Sequence, residues 1–422
     1  MIARWAAGTF RSLRIPNYRM WAAGSLVSNT GTWMQRIAQD WLVLTQLTEH
    51  SAAQVGIVTG LQFGPQLLFL PWTGFAADHF NQRKLMLVTQ SIMGLLAILL
   101  GLMTISGTIE LWHVYIFAFL LGTAAAFDAP ARQTFVAELV GEDDLTNAVA
   151  LNSTTFNGAR MIGPAAAGLL IGSVGTGWAF LINGFSYFAV VGSLLMLRVD
   201  QLYPKEMAQR VRGSFLEGFR YVWQRTDLRV MLVMLFLIGT FGMNFAIYTS
   251  TMAVHVFHVG ASGYGMLTSM MAVGTITGAL IAAGRTRSTF MQLNIGTAVF
   301  GIGCAFAAIA PSYWLFGAAL AVIGIASLSF LNTSNSLMQL TTEPQMRGRV
   351  MAIRMAIVMG GTPLGAPFVG WVADRFGPRQ ALAVGAVAGL LAALVGIVHC
   401  ARAGSVDRPS RTIPPTPGES LK

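Results

Sequence analysis

Apolar runs long enough to cross a lipid bilayer recur from one end of this sequence to the other. A membrane-spanning helix needs about 20 apolar residues. The chain is 54% hydrophobic and 10% charged, whereas ordinary soluble domains are about 25% charged, so a water-soluble fold could not bury this much apolar surface. The sequence therefore predicts an all-α membrane protein with twelve spans, at 18–46, 53–77, 84–105, 111–135, 146–172, 177–197, 229–255, 262–284, 290–310, 313–338, 348–373 and 380–401.

The basic residues behind the net charge of +10 fall mainly in alternate connections between these spans. They lie in the N-terminal arm, at 83–84, between 198 and 229, at 285–287, at 347–349 and in the tail. The opposite loops, except the one at 374–379, carry no Lys or Arg. This positive-inside pattern predicts that both termini of a cell-membrane protein lie in the cytoplasm. The charge therefore reflects membrane orientation, and we expect no nucleic-acid partner.

Charged side chains also occur inside several predicted spans, where they are costly unless they face a partner or a wet cavity. In the first span Asn29, Trp33, Arg36 and Asp40 follow at steps of four, three and four, which places them on one helix face. Desolvation and the nearby Arg36 act in opposite directions on the pKa of Asp40, which suits a proton-binding site. A static pair that anchors the helix is the alternative. Arg160, in the fifth span, lies either on a transport pathway or in an interhelical hydrogen-bond network.

The fourth span carries a second cluster of unusual residues, Asp128, Pro130 and Arg132. Asp128 and Arg132 are one helical turn apart and are predicted to pair. Pro130 frees a backbone carbonyl and should bend the helix there. Asp128 is a second candidate for proton binding.

The second span ends in Gly74-Phe75-Ala76-Ala77-Asp78-His79-Phe80-Asn81-Gln82-Arg83-Lys84. This stretch resembles the signature between the second and third helices of major facilitator superfamily transporters, Gly-x-x-x-Asp-x-x-Gly-Arg-Arg/Lys. Asn81 stands where the signature has Gly, and Asn can adopt the left-handed conformation of a tight turn. The resemblance implies a cytoplasmic gate between two halves, which we assign to Gly74, Asp78, Arg83, Lys84 and Arg132.

Three further stretches resemble the branch of this superfamily that holds the enterobactin exporter and the macrolide efflux proteins. They are Asp128-x-Pro130-x-Arg132-Gln133, Asn147-Ala148-x-Ala150-Leu151-Asn152-Ser153 and Ala159-Arg160-x-Ile162-Gly163-Pro164. In the fifth span, Gly163 and Gly168 would let another helix approach closely, and Pro164 would add a bend. Many proton-driven exporters carry an Arg in the fourth helix where this chain has Ala118, so coupling here must use other residues.

The second half of the chain repeats the first at a shift of 202 residues. The matched pairs are Trp112 with Trp314, Gly122 with Gly324, Ala150 with Ala352, Gly163 with Gly365 and Gly168 with Gly370. The superfamily's plan of two six-helix halves related by pseudo-two-fold symmetry, with the site between them, accounts for this repeat. We divide the chain into a cytoplasmic arm (1–17), a first bundle (18–197), a linker with an amphipathic helix (198–228), a second bundle (229–401) and a disordered tail (402–422).

The second half contributes fewer charges than the first, since the repeat partners of Asp128, Arg132 and Arg160 are uncharged. It does offer polar and thioether side chains, and Met suits a pocket for varied apolar ligands as well as a plain core. The predicted substrate-lining residues of both halves are Asn29, Trp33, Asn157, Asn244, Tyr248, Asn332 and Met355.

The sequence contains no phosphate-binding Gly-Lys motif and neither a His-Glu-x-x-His nor a Gly-x-Ser-x-Gly motif. We therefore expect no enzyme activity, no cofactor and no metal site. The main hypothesis is a monomeric secondary transporter in the cell inner membrane that exports a small organic molecule, siderophore or drug-like, in exchange for protons. An importer of the same fold and a transport-inactive scaffold or sensor are the alternatives.

Overall fold

The structure is a computed structural model that describes residues 10–203, 215–283 and 288–406. In those ranges the regular structure is helical. The main α-helices are α1 (Pro16–Leu42), α2 (Ala52–Leu68), α3 (Leu70–His79), α4 (Gln82–Ile105), α5 (Leu111–Val174), α6 (Thr176–Leu195), α7 (Phe215–Gln224), α8 (Thr226–Leu237), α9 (Phe245–Thr251), α10 (Ala261–Ala283), α11 (Phe290–Ile309), α12 (Tyr313–Thr341), α13 (Arg347–Phe376) and α14 (Pro378–Val406). Most of the predicted N-terminal arm, the centre of the linker and the tail beyond residue 406 lie outside the described residues.

The described helices confirm an all-α membrane protein of two bundles, α1 to α6 and α8 to α14. Nine helical segments of the described chain are long and apolar enough to span a bilayer. One of them, α5, holds the fourth and fifth predicted spans. The polar α1 and the interrupted pair α2 and α3 do not meet that criterion, so the count of twelve stays a prediction.

Helix α5 changes direction at Gly141, the residue with non-helical dihedral angles inside it. Its φ of 70° lies in the left-handed region, which Gly enters without steric penalty. The backbone at Pro130 and Pro164 keeps helical dihedral angles. A proline can bend a helix without leaving helical dihedral angles, so the bends expected at Pro130 and Pro164 stay predictions, and the break at Gly141 is a feature that the sequence analysis did not predict.

Two other predicted spans are interrupted in the structure. Phe69 separates α2 from α3, with Pro65 in the turn before it. The seventh span passes from α8 through a π-helical segment, Ile238–Gly242, to a break at Met243 and Asn244 before α9 begins. The side-chain amide of Asn244 donates to the Thr240 carbonyl oxygen at 2.7 Å, which satisfies a backbone acceptor beside the break.

The matched glycines of the repeat make equivalent contacts in the two halves. Gly163 faces Thr30 and Trp33 of α1, and Gly365 faces Thr240 at the corresponding position of the second bundle. Gly168 packs on Ala261 at the start of α10, and Gly370 packs on Ala52 at the start of α2. Added side chains would meet backbone at each of these positions. The helix-packing role predicted for Gly163 and Gly168 therefore agrees with this geometry.

The two bundles meet mainly through two helix pairs, α2 with α13 and α5 with α10. The close contacts in these pairs lie toward one end of the molecule: Gly56 packs on Ala366, and the Ser262 hydroxyl donates to the Gly168 carbonyl oxygen at 3.0 Å. We call this the closed end, and it bears the connections at 48–51, 175, 257–260 and 377.

Large apolar side chains are exposed along the outer faces of the helices, as a lipid-facing surface requires. At the closed end, Trp112, Trp178 and Trp314 are each about half exposed or more. Trp is typical of the membrane–water interface, because its ring is apolar and its N–H can remain hydrated. This belt is consistent with a helix bundle that crosses the bilayer.

The linker helix α7 lies between the bundles in the sequence and contacts the second one. Val222 is buried, while Phe219 and Trp223 are exposed. The Glu217 carboxylate pairs with Arg349 of α13 at 3.0 Å. A helix therefore lies within the predicted linker, and its role as an amphipathic linker helix stays a prediction.

Candidate functional site

A cavity of about 530 Å³ lies between the two bundles. Residues of α1, α2 and α5 line it from the first bundle, and residues from the break before α9 and from α9, α10, α12 and α13 line it from the second. Its lining is mainly apolar, with a few polar side chains, and its volume is typical of sites for small organic molecules. The charged residues among its lining side chains are Arg36, Asp40 and Arg160.

Asp40 links the two bundles inside this cavity. Its side chain is 8% exposed and accepts a hydrogen bond from the Tyr264 hydroxyl of α10 at 3.0 Å. The ring of Tyr264 also stacks on Trp41, with 6.2 Å between the ring centroids. Asp40 was predicted to be neutralised partly by Arg36, and the contact that the structure gives its carboxylate is instead this hydroxyl of the other bundle.

The two arginines of the cavity share one aromatic ring. The guanidinium carbon of Arg36 lies 4.6 Å from the centroid of the Trp33 ring, and that of Arg160 lies 5.3 Å from it. Arg36 also lies 5.1 Å from the ring centroid of Phe63. Cation–π contacts of this kind hold a guanidinium in place without neutralising it.

The cavity brings together five of the predicted site residues, Trp33, Arg36, Asp40, Arg160 and Asn244. They come from three segments that are far apart in the sequence. Of the four residues predicted on one face of the first span, three line the cavity. The fourth, Asn29, is half-buried and does not line it.

The other predicted lining residues lie elsewhere. Tyr248 is fully buried, and its hydroxyl donates to the Phe241 carbonyl oxygen at 2.5 Å. Asn157 donates to the Ser153 carbonyl oxygen of its own helix at 2.8 Å. Asn332 is exposed and Met355 is 42% exposed. These residues and Asn29 do not line the cavity in the arrangement seen here, so their part in substrate binding stays a prediction.

Asp128 forms a separate polar cluster outside the cavity. It pairs with Arg132 at 3.1 Å, as the spacing predicts. Its other oxygen accepts hydrogen bonds from Thr89 and Gln90 of α4, both at 2.8 Å. The carboxylate is thus held by three side chains between α4 and α5, and it does not lie beside Asp40.

The stretch that resembles the signature, 74–84, forms the end of α3 and the N-terminal cap of α4. Asn81 has extended backbone angles, with φ of −64°, and its side chain accepts a hydrogen bond from the Lys84 backbone N–H at 3.0 Å. The left-handed turn expected at Asn81 is therefore wrong. Arg83 donates to the Leu194 carbonyl oxygen of α6 at 2.7 Å, and Gly74 is exposed. The side chain of Asp78 lies outside the described part of the chain, so the gate assignment stays a prediction.

The sequence has a second stretch similar to the signature, Gly370-x-x-x-Asp374-Arg375-x-Gly377-Pro378-Arg379, at the end of α13, and this stretch connects the bundles at the closed end. Asp374 accepts hydrogen bonds from the Ser51 hydroxyl at 2.7 Å and from the backbone N–H groups of Ala52 and Ala53 at 2.6 and 3.1 Å. A carboxylate at a helix N-terminus satisfies unpaired N–H groups and complements the helix dipole. The sequence showed a repeated motif here but gave no partner for it.

A family profile described as transmembrane secretion effector matches residues 7–418, nearly the whole chain. The chain belongs to this family of the major facilitator superfamily. The resemblance inferred from the loop and fifth-span motifs is thereby confirmed, and the chain is a membrane transporter by family. Its relatives transport small molecules.

Curated relatives include the staphyloferrin A transporter of Staphylococcus aureus, 27% identical over 350 residues that cover 82% of this chain and 87% of the relative. The multidrug efflux pump Tap of Mycolicibacterium fortuitum is 24% identical over 364 residues, which cover 84% of this chain and 88% of the relative. The enterobactin exporter EntS of Citrobacter koseri is 25% identical over 89% of each chain.

Solved structures with the same fold include a bacterial homologue of the human lysosomal transporter Spinster in an inward-facing, unoccupied conformation. It superposes with a TM-score of 0.75 at 16% identity, over 94% of this chain and 99% of the homologue. The nucleoside transporter NupG gives a TM-score of 0.73 at 12% identity, over 90% and 98% of the two chains. These matches confirm the major facilitator fold for this chain.

Sequence reasoning missed Tyr264 and the glutamines Gln62 and Gln66, which line the cavity from α10 and α2. A tyrosine within an apolar run is typical of a helix packed in a protein core. Tyr264 differs from such a core tyrosine only in its contact with the Asp40 carboxylate. That contact joins residues 224 positions apart. It follows from the assembly of the two bundles and not from any local pattern.

Proposed function

We propose that this chain is a secondary active transporter that exports a small organic molecule, siderophore or drug-like, in exchange for protons. It would act as a monomer in the bacterial inner membrane, with both termini in the cytoplasm, by alternating access and without enzymatic chemistry. The observation that carries the proposal is the position of Asp40: a nearly buried carboxylate in the central cavity whose hydrogen-bond partner, Tyr264, belongs to the other bundle.

The protonation state of Asp40 would control how firmly the bundles hold together. An ionised carboxylate accepts a charge-assisted hydrogen bond from Tyr264, and such bonds are about twice as strong as those between neutral groups. Protonation weakens that bond and removes the attraction between Asp40 and Arg36 one turn away. A proton therefore shifts the equilibrium between two arrangements of the bundles, which is the coupling that an antiporter needs.

The positive-inside pattern assigns the closed end to the outer side of the membrane. The connections at that end within the first bundle, 48–51 and 106–110, carry no Lys or Arg, whereas Arg83 and Lys84 lie at the opposite end. Substrate would then enter the cavity from the cytoplasm in the arrangement seen here. Opening of the closed end would release it outside, with the bundles rocking about the cavity.

To test this proposal, Asp40→Asn is compared with wild type in inverted membrane vesicles whose interior is acidified. Uptake of staphyloferrin A, enterobactin and erythromycin is measured with and without the pH gradient. We expect gradient-driven uptake of at least one compound by wild type and uptake at the level of empty vesicles for Asp40→Asn. Asp200→Asn is the matched control, because Asp200 is exposed in the linker.

Undiminished gradient-driven uptake by Asp40→Asn would remove Asp40 from the coupling mechanism. Uptake only when the gradient is reversed would instead identify an importer. If wild-type vesicles move none of the three compounds, accumulation of the same compounds in a deletion strain decides between another cargo and a protein without transport activity.

A further inference from the structure

The charged groups that line the cavity do not balance. Two guanidinium groups, Arg36 and Arg160, face one carboxylate, Asp40. The Asp40 carboxylate accepts its hydrogen bond from Tyr264. The four ion pairs found in the described chain involve other residues. The cavity therefore contains an excess of positive charge.

The arginines are positioned but not neutralised. Both lie against the ring of Trp33, at 4.6 and 5.3 Å from its centroid. The Nε atom of Arg36 is buried and has no hydrogen-bond partner. A buried donor without a partner costs free energy, and the cost is larger for a charged group. The Arg36 donor has no acceptor, and two like charges lie against one ring. Together these features indicate that a ligand supplies the missing acceptor and a negative charge.

The chemistry of the guanidinium group specifies that ligand. A guanidinium presents N–H donors in a planar fork that matches the two oxygens of a carboxylate, and charge-assisted pairs of this kind combine strength with orientation. Lysine would supply charge without that planar match. Two forks beside one ring define a site for a planar oxyanion.

The rest of the cavity specifies the body of the ligand. Phe63 and Phe156 lie near the arginines, and Phe245, Leu328 and Met359 line the side formed by the second bundle. These side chains offer apolar and aromatic surface and no charge. A molecule with an anionic head and a ring-bearing apolar body matches both regions.

We propose that this transporter recognises an organic carboxylate, with Arg36 and Arg160 binding the carboxylate head and the apolar lining holding the body. This inference rests on the proposed transport function and adds the class of its cargo. It also assigns the arginines a role distinct from that of Asp40: they contact the ligand, and Asp40 responds to the proton.

The test compares matched pairs of probes that differ only in charge, 2-naphthoate with 2-naphthamide and 4-phenylbutanoate with 4-phenylbutanamide. Binding to the purified full-length protein in lipid nanodiscs is measured by titration calorimetry. We expect wild type to bind each carboxylate about tenfold to 100-fold more tightly than its amide, since hydrogen bonds to charged groups contribute strongly to discrimination.

In Arg160→Gln and Arg36→Gln this ratio should fall toward one, while Arg160→Lys should give an intermediate ratio because it keeps the charge and loses the fork. Arg379→Gln is the control arginine. It bonds to the carbonyl oxygens of Ala308 and Ala310 within the second bundle, so its variant should keep the wild-type ratio. If a glutamine variant does not fold, the wild-type and Arg160→Lys ratios still decide the question.

Equal binding of acid and amide by wild type, or tighter binding of the amide, overturns the carboxylate assignment. So does an undiminished ratio in both glutamine variants, and so does failure of every acid to bind. These outcomes leave the transport proposal standing, because that proposal is tested by the dependence of uptake on the pH gradient and on Asp40. The transport proposal is overturned instead if wild type shows no gradient-driven uptake and the deletion strain accumulates none of the compounds.

Discussion

Trp33 holds the charged part of the cavity together through its ring. Arg36 and Arg160 lie on the ring, and Phe156 meets it edge-on with 5.9 Å between the centroids. Each cation–π contact contributes about 0.5–2 kcal/mol, depending on how far it is desolvated. Trp33 is therefore expected to stabilise the protein as well as to position the two guanidinium groups.

Replacement of Trp33 by Leu should lower the free energy of unfolding by about 1–3 kcal/mol, because both arginines lose their cation–π contact with its ring, although Arg36 keeps its contact with Phe63. Trp33→Phe should lose less. Thermal unfolding of the purified protein followed by fluorescence measures the difference. Trp72→Leu is the control, since Trp72 is 59% exposed and should change the unfolding temperature little. Equal effects of Trp33→Leu and Trp72→Leu would contradict this role.

At the scale of single residues, the sequence identified the charges of the cavity but not their partners. Arg36, Asp40 and Arg160 were found because ionisable side chains in apolar runs are costly. Tyr264 was not found, because its role depends on a contact between two bundles. Asn29 shares a helix face with Asp40 but lies too far along α1 to reach the cavity. Periodicity shows on which face of a helix a residue lies, but it does not show how far along the helix the cavity extends.

Among the helices, the contact between Gly365 and Thr240 fixes how closely α13 approaches the π-helical segment before the break in the seventh span. An added Cβ at Gly365 would collide with the Thr240 carbonyl group. Overpacking of this kind costs typically about 1–3 kcal/mol. Gly348 lies on the same helix and has no atom within 4 Å of an added Cβ.

Gly365→Ala should therefore reduce the yield of folded protein and lower its unfolding temperature, whereas Gly348→Ala should leave both unchanged or slightly improved. Size-exclusion profiles and thermal unfolding of the two variants provide the comparison. A Gly365→Ala protein as stable as Gly348→Ala would show that α13 and the seventh span do not approach this closely.

The hydrogen bonds of Asp374 to the start of α2 connect the bundles at the closed end. Asp374→Ala removes all of them and should favour opening of that end. To detect this, Thr59, a buried residue of the cavity lining, is replaced by Cys and labelled with a membrane-impermeant thiol reagent in right-side-out vesicles. We expect faster labelling of Thr59→Cys when Asp374→Ala is also present.

Glu110→Ala is the control for this experiment. Glu110 lies at the same end and accepts a hydrogen bond from Trp112 of its own bundle at 2.6 Å, so its loss should not change the labelling rate. Equal rates with Asp374 and with Asp374→Ala would mean that these hydrogen bonds do not hold the end closed.

At the element scale the sequence predicted the positions of the helices better than their bends. Apolar runs locate a helix because a span must be apolar over about 20 residues. A break in a helix depends on local backbone conformation, and the break at Gly141, where φ is positive, was not marked by any pattern that the sequence analysis used. The break at Met243 and Asn244 lies within the seventh predicted span and has no proline to mark it.

For the molecule as a whole, the repeat in the sequence corresponds to a repeat in contacts. Gly168 packs on Ala261 and Gly370 packs on Ala52, so the two interfaces between bundles are related by the pseudo-two-fold axis. The sequence predicted this architecture because matched small residues recur at one shift. It could not predict which end of the interface is closed, since the same helix faces serve both arrangements of a transporter that alternates.

The central claim is that transport requires the closed end to open around the cavity. A disulfide can test it, because an added Cβ at Gly172 of α5 would lie 3.2 Å from the Ser262 Oγ of α10, close enough for a Cys pair. Gly172→Cys and Ser262→Cys are combined in a chain without its two native cysteines, Cys304 and Cys400, and each single replacement serves as a control.

The measurement is gradient-driven uptake of staphyloferrin A, enterobactin and erythromycin into inverted vesicles, before and after reduction of the disulfide. The account predicts that the oxidised double variant moves none of them, that reduction restores uptake to the rate of the single variants, and that the single variants do not respond to oxidant. Full uptake by the oxidised double variant, with the disulfide verified by mass spectrometry, would contradict alternating access through the closed end.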